Sequence, residues 1–294
     1  MGGAKIGLVE LPLALMNPGD LLLLPDPGYP DYLSGVSLGR VAYETFLLTA
    51  KNDFLPDLDA IPEETARRAK FIYINYPNNP TGAVATKAFY EKLVAWAKTY
   101  EVGVVSDLAY GALGYRGYEN PSFLSTPGAK DVGIEFYTFS KTFNMAGWRL
   151  AFAAGNDQMI EALNLIQDHL FVGIFPALQE AGIAALLDPK SEEAVAQLNA
   201  TYDSRRDAFV QAAAKIGWQA FPSRGSFYAW MPVPEGYTSE SFADLLLEKV
   251  HVAVAPGKGF GPAGDAYVRI GLLVEPERLV EAVDRIANLH LFNN

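Results

Sequence analysis

Apolar residues recur along this chain with two different spacings. Leu21 to Leu24, Val41 to Leu48, Phe71 to Asn75, Val102 to Ser106, Gly133 to Thr138 and Leu150 to Ala154 are short apolar runs bounded by turn residues, which predicts strands. Between them lie stretches with helical spacing. Leu8 to Met16 is stopped by Asn17-Pro18-Gly19, Asp57 to Ala69 has a Pro62-Glu63-Glu64 start and a basic end that suit a helix dipole, and Ala88 to Tyr100 is amphipathic. Strand and helix in alternation predict an α/β fold, a mainly parallel sheet with helices on both faces.

The texture then changes. Asp157 to Leu187 reads as helix with a break near Gly173 to Pro176, and Ser191-Glu192-Glu193 opens a long helix running to about Ile216. Beyond Gly217 come the short strands Phe227 to Met231, Val252 to Ala255 and Tyr267 to Leu272, with helices at Ser239 to Lys249 and Pro276 to Leu289. The expected organisation is a large domain over 1–190, then a linking helix and a smaller α+β C-terminal domain over 191–294.

Polar residues gather where the strands end. Tyr29 lies in the turn Pro25-Asp26-Pro27-Gly28-Tyr29-Pro30-Asp31-Tyr32, Asn79 in Tyr76-Pro77-Asn78-Asn79-Pro80-Thr81-Gly82, Asp107 and Tyr110 in Asp107-Leu108-Ala109-Tyr110, and Lys141 just after Tyr137-Thr138-Phe139-Ser140. Open parallel sheets bind ligands in the crevice outside the carboxyl ends of their strands, so four separate turns are expected to converge on one site.

The residue types suggest what that site holds. Lys141, expected in a loop flanked by Phe139, Phe143 and Trp148, has surroundings that favour a neutral, nucleophilic amine able to form a Schiff base. Arg149 is a planar cation suited to phosphate, with the Thr138 and Ser140 hydroxyls beside it. Gly3, Ala4 and Lys5 precede a helix whose free N–H groups suit an anion. An aspartate such as Asp107 can keep a pyridine nitrogen protonated, and a ring such as Tyr29 can stack on a flat heteroaromatic. Arg269, inside a strand, needs a carboxylate or phosphate for its fork. Taken singly, each has a plainer reading: a solvated lysine, a frayed terminus, a packing tyrosine, a capping aspartate, a salt-bridged arginine. Gly259-Phe260-Gly261-Pro262-Ala263-Gly264 spells G-x-G-x-x-G, but a strand rather than a helix follows, so no dinucleotide site is expected there.

Composition removes other classes. A net charge of -11 argues against nucleic-acid or anionic-membrane partners. With no cysteine there is no thiolate chemistry, and His169, His251 and His290 have no metal-ligand spacing. No apolar run reaches the ~18 residues of a membrane span and the start does not resemble a signal peptide, so the cytoplasm is expected.

Ser140-Lys141-Thr142-Phe143-Asn144-Met145-Ala146-Gly147-Trp148-Arg149 resembles the cofactor-lysine signature of the class I/II aminotransferases, the fold-type I enzymes dependent on pyridoxal 5'-phosphate (PLP). The resemblance runs from the first glycines to the final helix. It implies Lys141 as the Schiff-base lysine, Asp107 at the pyridine nitrogen, Asn79 and Tyr110 at the phenolic oxygen, and Tyr29 stacked on the ring. It further implies Gly3, Ala4, Lys5, Thr138, Ser140 and Arg149 around the phosphate. Arg269, in a Tyr-Val-Arg-Ile strand, would clamp the substrate α-carboxylate, with Phe260 lining that pocket and Asn79 beside it. Implied partners are an amino acid, a 2-oxo acid and a second copy of the chain in a homodimer. Phe54-Leu55-Pro56-Asp57-Leu58-Asp59-Ala60-Ile61-Pro62 and Val233-Pro234-Glu235-Gly236-Tyr237-Thr238-Ser239 look most like the LL-diaminopimelate aminotransferase group. Two departures are Ala4, where relatives carry a G-S-K-like turn, and an upstream segment that the family has and this sequence lacks, with an edge strand and part of the small domain. A β-lyase or decarboxylase on the same scaffold, or an inactive or regulatory homologue, are the alternatives.

Overall fold

The central strands are buried on both sides, and their alternate residues feed two separate cores. In the computed structural model, which describes residues 1–292, Leu21, Leu23, Ile72, Ile74 and Val104 face one layer, while Leu22, Leu24, Phe71, Tyr73 and Val105 face the other. A chain with such strands needs helices on both faces, and the elements follow in that order. They are α1 (Ala4–Leu15), β1 (Leu21–Asp26), α2 (Tyr32–Gly39), β2 (Ala42–Leu47), α3 (Glu63–Arg68), β3 (Ala69–Asn75), α4 (Lys87–Tyr100), β4 (Gly103–Asp107), α5 (Ala129–Val132), β5 (Gly133–Thr138), α6 (Phe139–Thr142) and β6 (Ala151–Gly155). The sheet order is β2-β1-β3-β4-β5-β6, with the first five strands parallel and β6 antiparallel to β5. Helix α4 covers one core through Leu93, Val94 and Ala97, and α1 and α2 cover the other through Leu8, Leu11, Tyr32 and Val36.

The second half continues with α7 (Asp157–Leu170), α8 (Pro176–Leu187), α9 (Ser191–Lys215), β7 (Tyr228–Pro232), α10 (Ser239–Val250), β8 (Ala255–Pro256), β9 (Tyr267–Gly271) and α11 (Pro276–Ala287). Strands β7, β9 and β8 form an antiparallel sheet of their own. Its core, built from Phe209, Trp218, Met231, Phe242, Val268, Ile270 and Val283, is separate from the two cores of the large sheet. Among the described residues no helix is long and apolar enough to cross a membrane.

Three elements differ from the sequence reading. Helix α2 stands where only a turn into Tyr32 is expected, because Gly35 and Gly39 lower its propensity yet are what let it lie against α1. A Cβ on Gly35 would come 3.0 Å from the Val9 carbonyl, and one on Gly39 would come 3.1 Å from the Pro12 ring. The expected helix over 57–69 is only α3, since Pro62 starts it late and Ala69 already belongs to β3. The strand expected over 252–255 shrinks to Ala255–Pro256.

Helix α1 must come close to the sheet for its first turn to reach the strand ends. Gly7 allows this: a Cβ there would sit 2.4 Å from the fully buried Phe136 ring on β5. Phe136→Ala is expected to cost roughly 3–5 kcal/mol in urea unfolding. Gly7→Ala is expected to destabilise the wild-type chain but much less the Phe136→Ala background, a non-additivity that a double-mutant cycle reads directly.

Candidate active site

The strand order reverses direction between β1 and β3, and a cavity of about 380 Å³ opens there, beyond the carboxyl ends of the parallel strands. Gly3, Ala4, Lys5, Tyr29, Asn79, Asp107, Tyr110, Thr138, Ser140, Lys141, Arg149 and Arg269 all line it. Turns separated by more than a hundred residues thus meet in one place.

Asp107 is the last residue of β4 and is 5 % exposed. Its Oδ2 accepts a hydrogen bond from the Tyr32 hydroxyl at 2.9 Å, while its Oδ1 is buried with no partner. Burial outweighs the Tyr32 hydrogen bond, the nearby Ala109 backbone N–H and the charge of Lys141, and pushes the carboxyl up to about 6. The turn beside it is held by asparagines: the Asn75 amide donates to the Asp107 carbonyl at 2.8 Å, and the Asn79 backbone N–H donates to Asn75 Oδ1 at 2.8 Å.

Lys141 lies in the one-turn helix α6 rather than in a loop, because the Thr138 hydroxyl accepts from the Ser140 N–H at 3.2 Å and caps the turn. Its expected aromatic flank also differs. Trp148 is 49 % exposed and Phe139 packs with Met145 and Leu150, whereas the ring beside the Lys141 ammonium is Phe227, 5.3 Å away. Burial lowers the amine's basicity first, and the charges of Arg149 and Arg269 lower it further.

Arg149 takes the left-handed conformation, φ 55°, and donates to the Ala146 carbonyl at 3.1 Å. Its guanidinium lies so close to Gly3 that a Cβ there would sit 2.3 Å from Nη2, and Gly3 itself has φ 108°. Only glycine fits both conditions. The first turn of α1 then presents the Ala4 and Lys5 N–H groups, which have no acceptor within the helix. The Lys5 side chain is held by Asp31 at 2.6 Å.

Arg269 comes from β9, in the small sheet. It has no carboxylate partner among the described residues; Nη1 donates to Asn79 Oδ1 at 2.7 Å, and the guanidinium lies over the rings of Tyr228 and Phe260, at 4.1 and 4.6 Å. The wall therefore carries Lys141, Arg149 and Arg269, besides the Asp31-paired Lys5, with Asp107 as its one carboxylate, in a chain whose net charge is -11. Such a wall suits a ligand with several negative charges.

The chain matches the family model for aminotransferase class I and II over residues 1–286. It belongs to that family. An L-glutamine--4-(methylsulfanyl)-2-oxobutanoate aminotransferase of Bacillus subtilis is 57 % identical over 99 % of this chain and 72 % of its own length. An LL-diaminopimelate aminotransferase of Moorella thermoacetica is 48 % identical over 97 % of this chain and 72 % of that protein. Among solved structures, substrate-bound BacF of Bacillus subtilis superposes with a TM-score of 0.95 at 46 % identity, over 99 % of this chain and 74 % of that one. The aminotransferase carries the expected fold-type I architecture, and relatives that are themselves aminotransferases do not favour the lyase, decarboxylase or inactive readings. The family is PLP-dependent.

Sequence reasoning overlooks Tyr32, Asn75, Phe227 and Tyr228 in this aminotransferase. Tyr32 follows Tyr29 by one helical turn and becomes visible only once α2 is recognised. Tyr228 alternates with Trp230 along an expected strand, the spacing that puts both on the face of Arg269.

Asp107 binds its proton more tightly folded than unfolded, so its stabilising contribution is full below its ordinary value of 3.8 and is lost as pH rises through about 6. Asp107→Asn, which leaves an acceptor for Tyr32, is expected to be more stable than the wild-type chain at pH 7.5 without cofactor, by about 2–3 kcal/mol. The gap should close near pH 4 in urea unfolding at the two pH values.

Proposed function

We propose that this chain binds pyridoxal 5'-phosphate in the 380 Å³ cavity and transfers an amino group between an amino acid and a 2-oxo acid. The observation that carries the reading is the unpartnered Asp107 Oδ1, a buried carboxylate oxygen in want of a cationic N–H donor such as a protonated pyridine nitrogen. Such a donor would bring the carboxyl back to its ionised form. The cradle of Gly3 against Arg149, with the N–H groups of Ala4 and Lys5 and the hydroxyls of Thr138 and Ser140, fits a phosphate dianion.

When bound, the cofactor supplies an aldehyde for an amine and a ring that takes up the electron pair left at a substrate Cα. The protein's own residues do the rest. Arg269 would hold the substrate α-carboxylate, and Tyr29 would lie against the cofactor ring. Asn79 and Tyr110 would donate to the phenolic oxygen, and Asp107 would keep the ring nitrogen protonated. Lys141, whose amine is neutral more readily because of burial and its two arginine neighbours, would take the Cα proton at Nζ and pass it to the cofactor's aldehyde carbon.

For the amino donor we propose L-glutamine, with 4-(methylsulfanyl)-2-oxobutanoate as acceptor. Both stand in the name of the relative at 57 % identity, and both have uncharged side chains, whereas the cavity wall offers no carboxylate besides Asp107 to a second ammonium. LL-diaminopimelate is the second reading, on relatives at 45–48 % identity. The purified chain with PLP is expected to show a visible band that Lys141→Ala abolishes, with amino transfer falling roughly 10²–10⁴-fold. Methionine formed from L-glutamine, resolved by chromatography, supports the first donor; transfer from LL-diaminopimelate alone overturns it.

We further propose a homodimer that buries the α7–α8 segment, where Leu170 and Leu187 of the helices and Val172 and Phe175 of the connection between them are 66 to 86 % exposed. Val172→Asp with Phe175→Asp is expected to halve the mass seen by light scattering; a wild-type monomer would rule the dimer out.

A further inference from the structure

Tyr228 opens β7, is 8 % exposed, and reaches both ends of the cavity at once. Strands β7 and β9 pair antiparallel with Trp230 opposite Arg269, so Tyr228 is the diagonal neighbour of Arg269 on the same face. Its ring lies under the guanidinium, with Arg269 Cζ 4.1 Å from the ring centroid. Phe260 brings a second ring to 4.6 Å from the same atom, so that two rings restrain the guanidinium without supplying any counter-charge. The cation is thereby aimed yet left available to an incoming carboxylate.

The other end of the same side chain does something different. The Tyr228 hydroxyl lies 3.3 Å from the Tyr110 hydroxyl, and both residues are buried. The two rings meet edge to face at 5.8 Å, with Phe227 against both. Among the described residues Tyr110 makes no other side-chain hydrogen bond. Its hydroxyl direction is thus set from the small sheet, although Tyr110 itself belongs to the turn after β4 in the large one.

We propose that Tyr228 is a two-ended positioning residue, its ring fixing the Arg269 carboxylate clamp and its hydroxyl fixing Tyr110. The inference rests on the reading of the cavity as a PLP site. One end bears on substrate affinity and the other on the electronic state of the cofactor's phenolic oxygen, so the two are separable by substitution. Tyr228→Phe keeps the ring and removes the hydroxyl; Tyr228→Leu removes both.

Two readouts divide the outcomes. Pentanoate, a carboxylate without an amine, is titrated calorimetrically into the PLP-loaded chain to read the clamp. The pH midpoint of the Lys141-dependent visible band reads the phenolic oxygen, because a hydrogen-bond donor there stabilises the oxyanion and weakens its hold on a neighbouring proton. In Tyr228→Phe the pentanoate Kd should stay within about twofold while the midpoint rises, since Tyr110 loses the partner that orients it. In Tyr228→Leu the midpoint should rise likewise and the Kd should weaken roughly threefold to thirtyfold, the range of a desolvated stacked cation. Equal weakening of pentanoate in both variants would overturn the ring's part. An unmoved midpoint in Tyr228→Phe would overturn the hydroxyl's part, and that arm stands on the conservative variant alone. Should Tyr228→Leu not fold, as judged by circular dichroism, Tyr228→Met takes its place. Absence of any Lys141-dependent band in the wild-type chain would instead be a failure of the PLP reading, a different result from either of these.

Discussion

Burial of the Asp107 carboxylate is the constraint around which the large sheet is arranged. A carboxylate 5 % exposed at a strand end is costly, and the fold offsets only half of it. The Tyr32 hydroxyl serves one oxygen, and Tyr32 is in turn wedged edge to face between Tyr29 and Tyr73. Tyr73 donates to the Leu8 carbonyl of α1 at 3.0 Å. A line of aromatic contacts thus ties the carboxylate to the helix whose first turn lines the opposite wall. The glycines of α2 and Gly7 of α1 make sense as conditions for that line, since each removes a Cβ that would hold the layers apart. The remaining oxygen, kept unpaired, is a standing demand for a cation.

The cations of the wall answer to a second, opposing requirement. Lys141, Arg269 and Arg149 have no carboxylate partner among the described residues, and they repel one another across a small volume. Each is restrained by something other than an opposite charge: a capped helical turn, a pair of rings, a carbonyl. This restraint without neutralisation keeps the lysine amine less basic and the arginines available. Burial of the lysine comes first among the causes, and the arginine charges add to it.

Much of this was legible in the sequence because strand ends announce themselves. Short apolar runs followed by polar turns gave the sheet, and the rule that parallel sheets gather ligands at their carboxyl ends brought Tyr29, Asn79, Asp107 and Lys141 together without a structure. What escaped depends on contacts between distant segments. Helix α2 has glycines and serines that argue against a helix locally, and it exists because α1 packs on it. Phe227 and Tyr228 belong to a segment some ninety residues beyond Lys141, where the small sheet begins, and only tertiary pairing brings them to the lysine and to Arg269. The assumed partners of Lys141 failed for the same reason: sequence neighbours Phe139 and Trp148 point elsewhere once the turn is helical. Arg269 is the converse case, a strand arginine whose lack of a carboxylate partner only the structure reveals.

The two ends of the cavity are rooted in different cores. Lys141 and Asp107 stand on the large sheet, whereas Arg269 stands on β9, whose inward neighbours Val268 and Ile270 pack with Phe209, Trp218 and Val283. On the roles proposed above, grip on one part of a ligand and chemistry on another therefore have separate foundations. With Arg269 as the proposed carboxylate clamp, substitutions inside the small core would alter which carboxylates are held, and how firmly, while the lysine and its buried aspartate keep their places. A fold divided in this way can exchange substrates over evolutionary time without rebuilding the machinery that reacts with them.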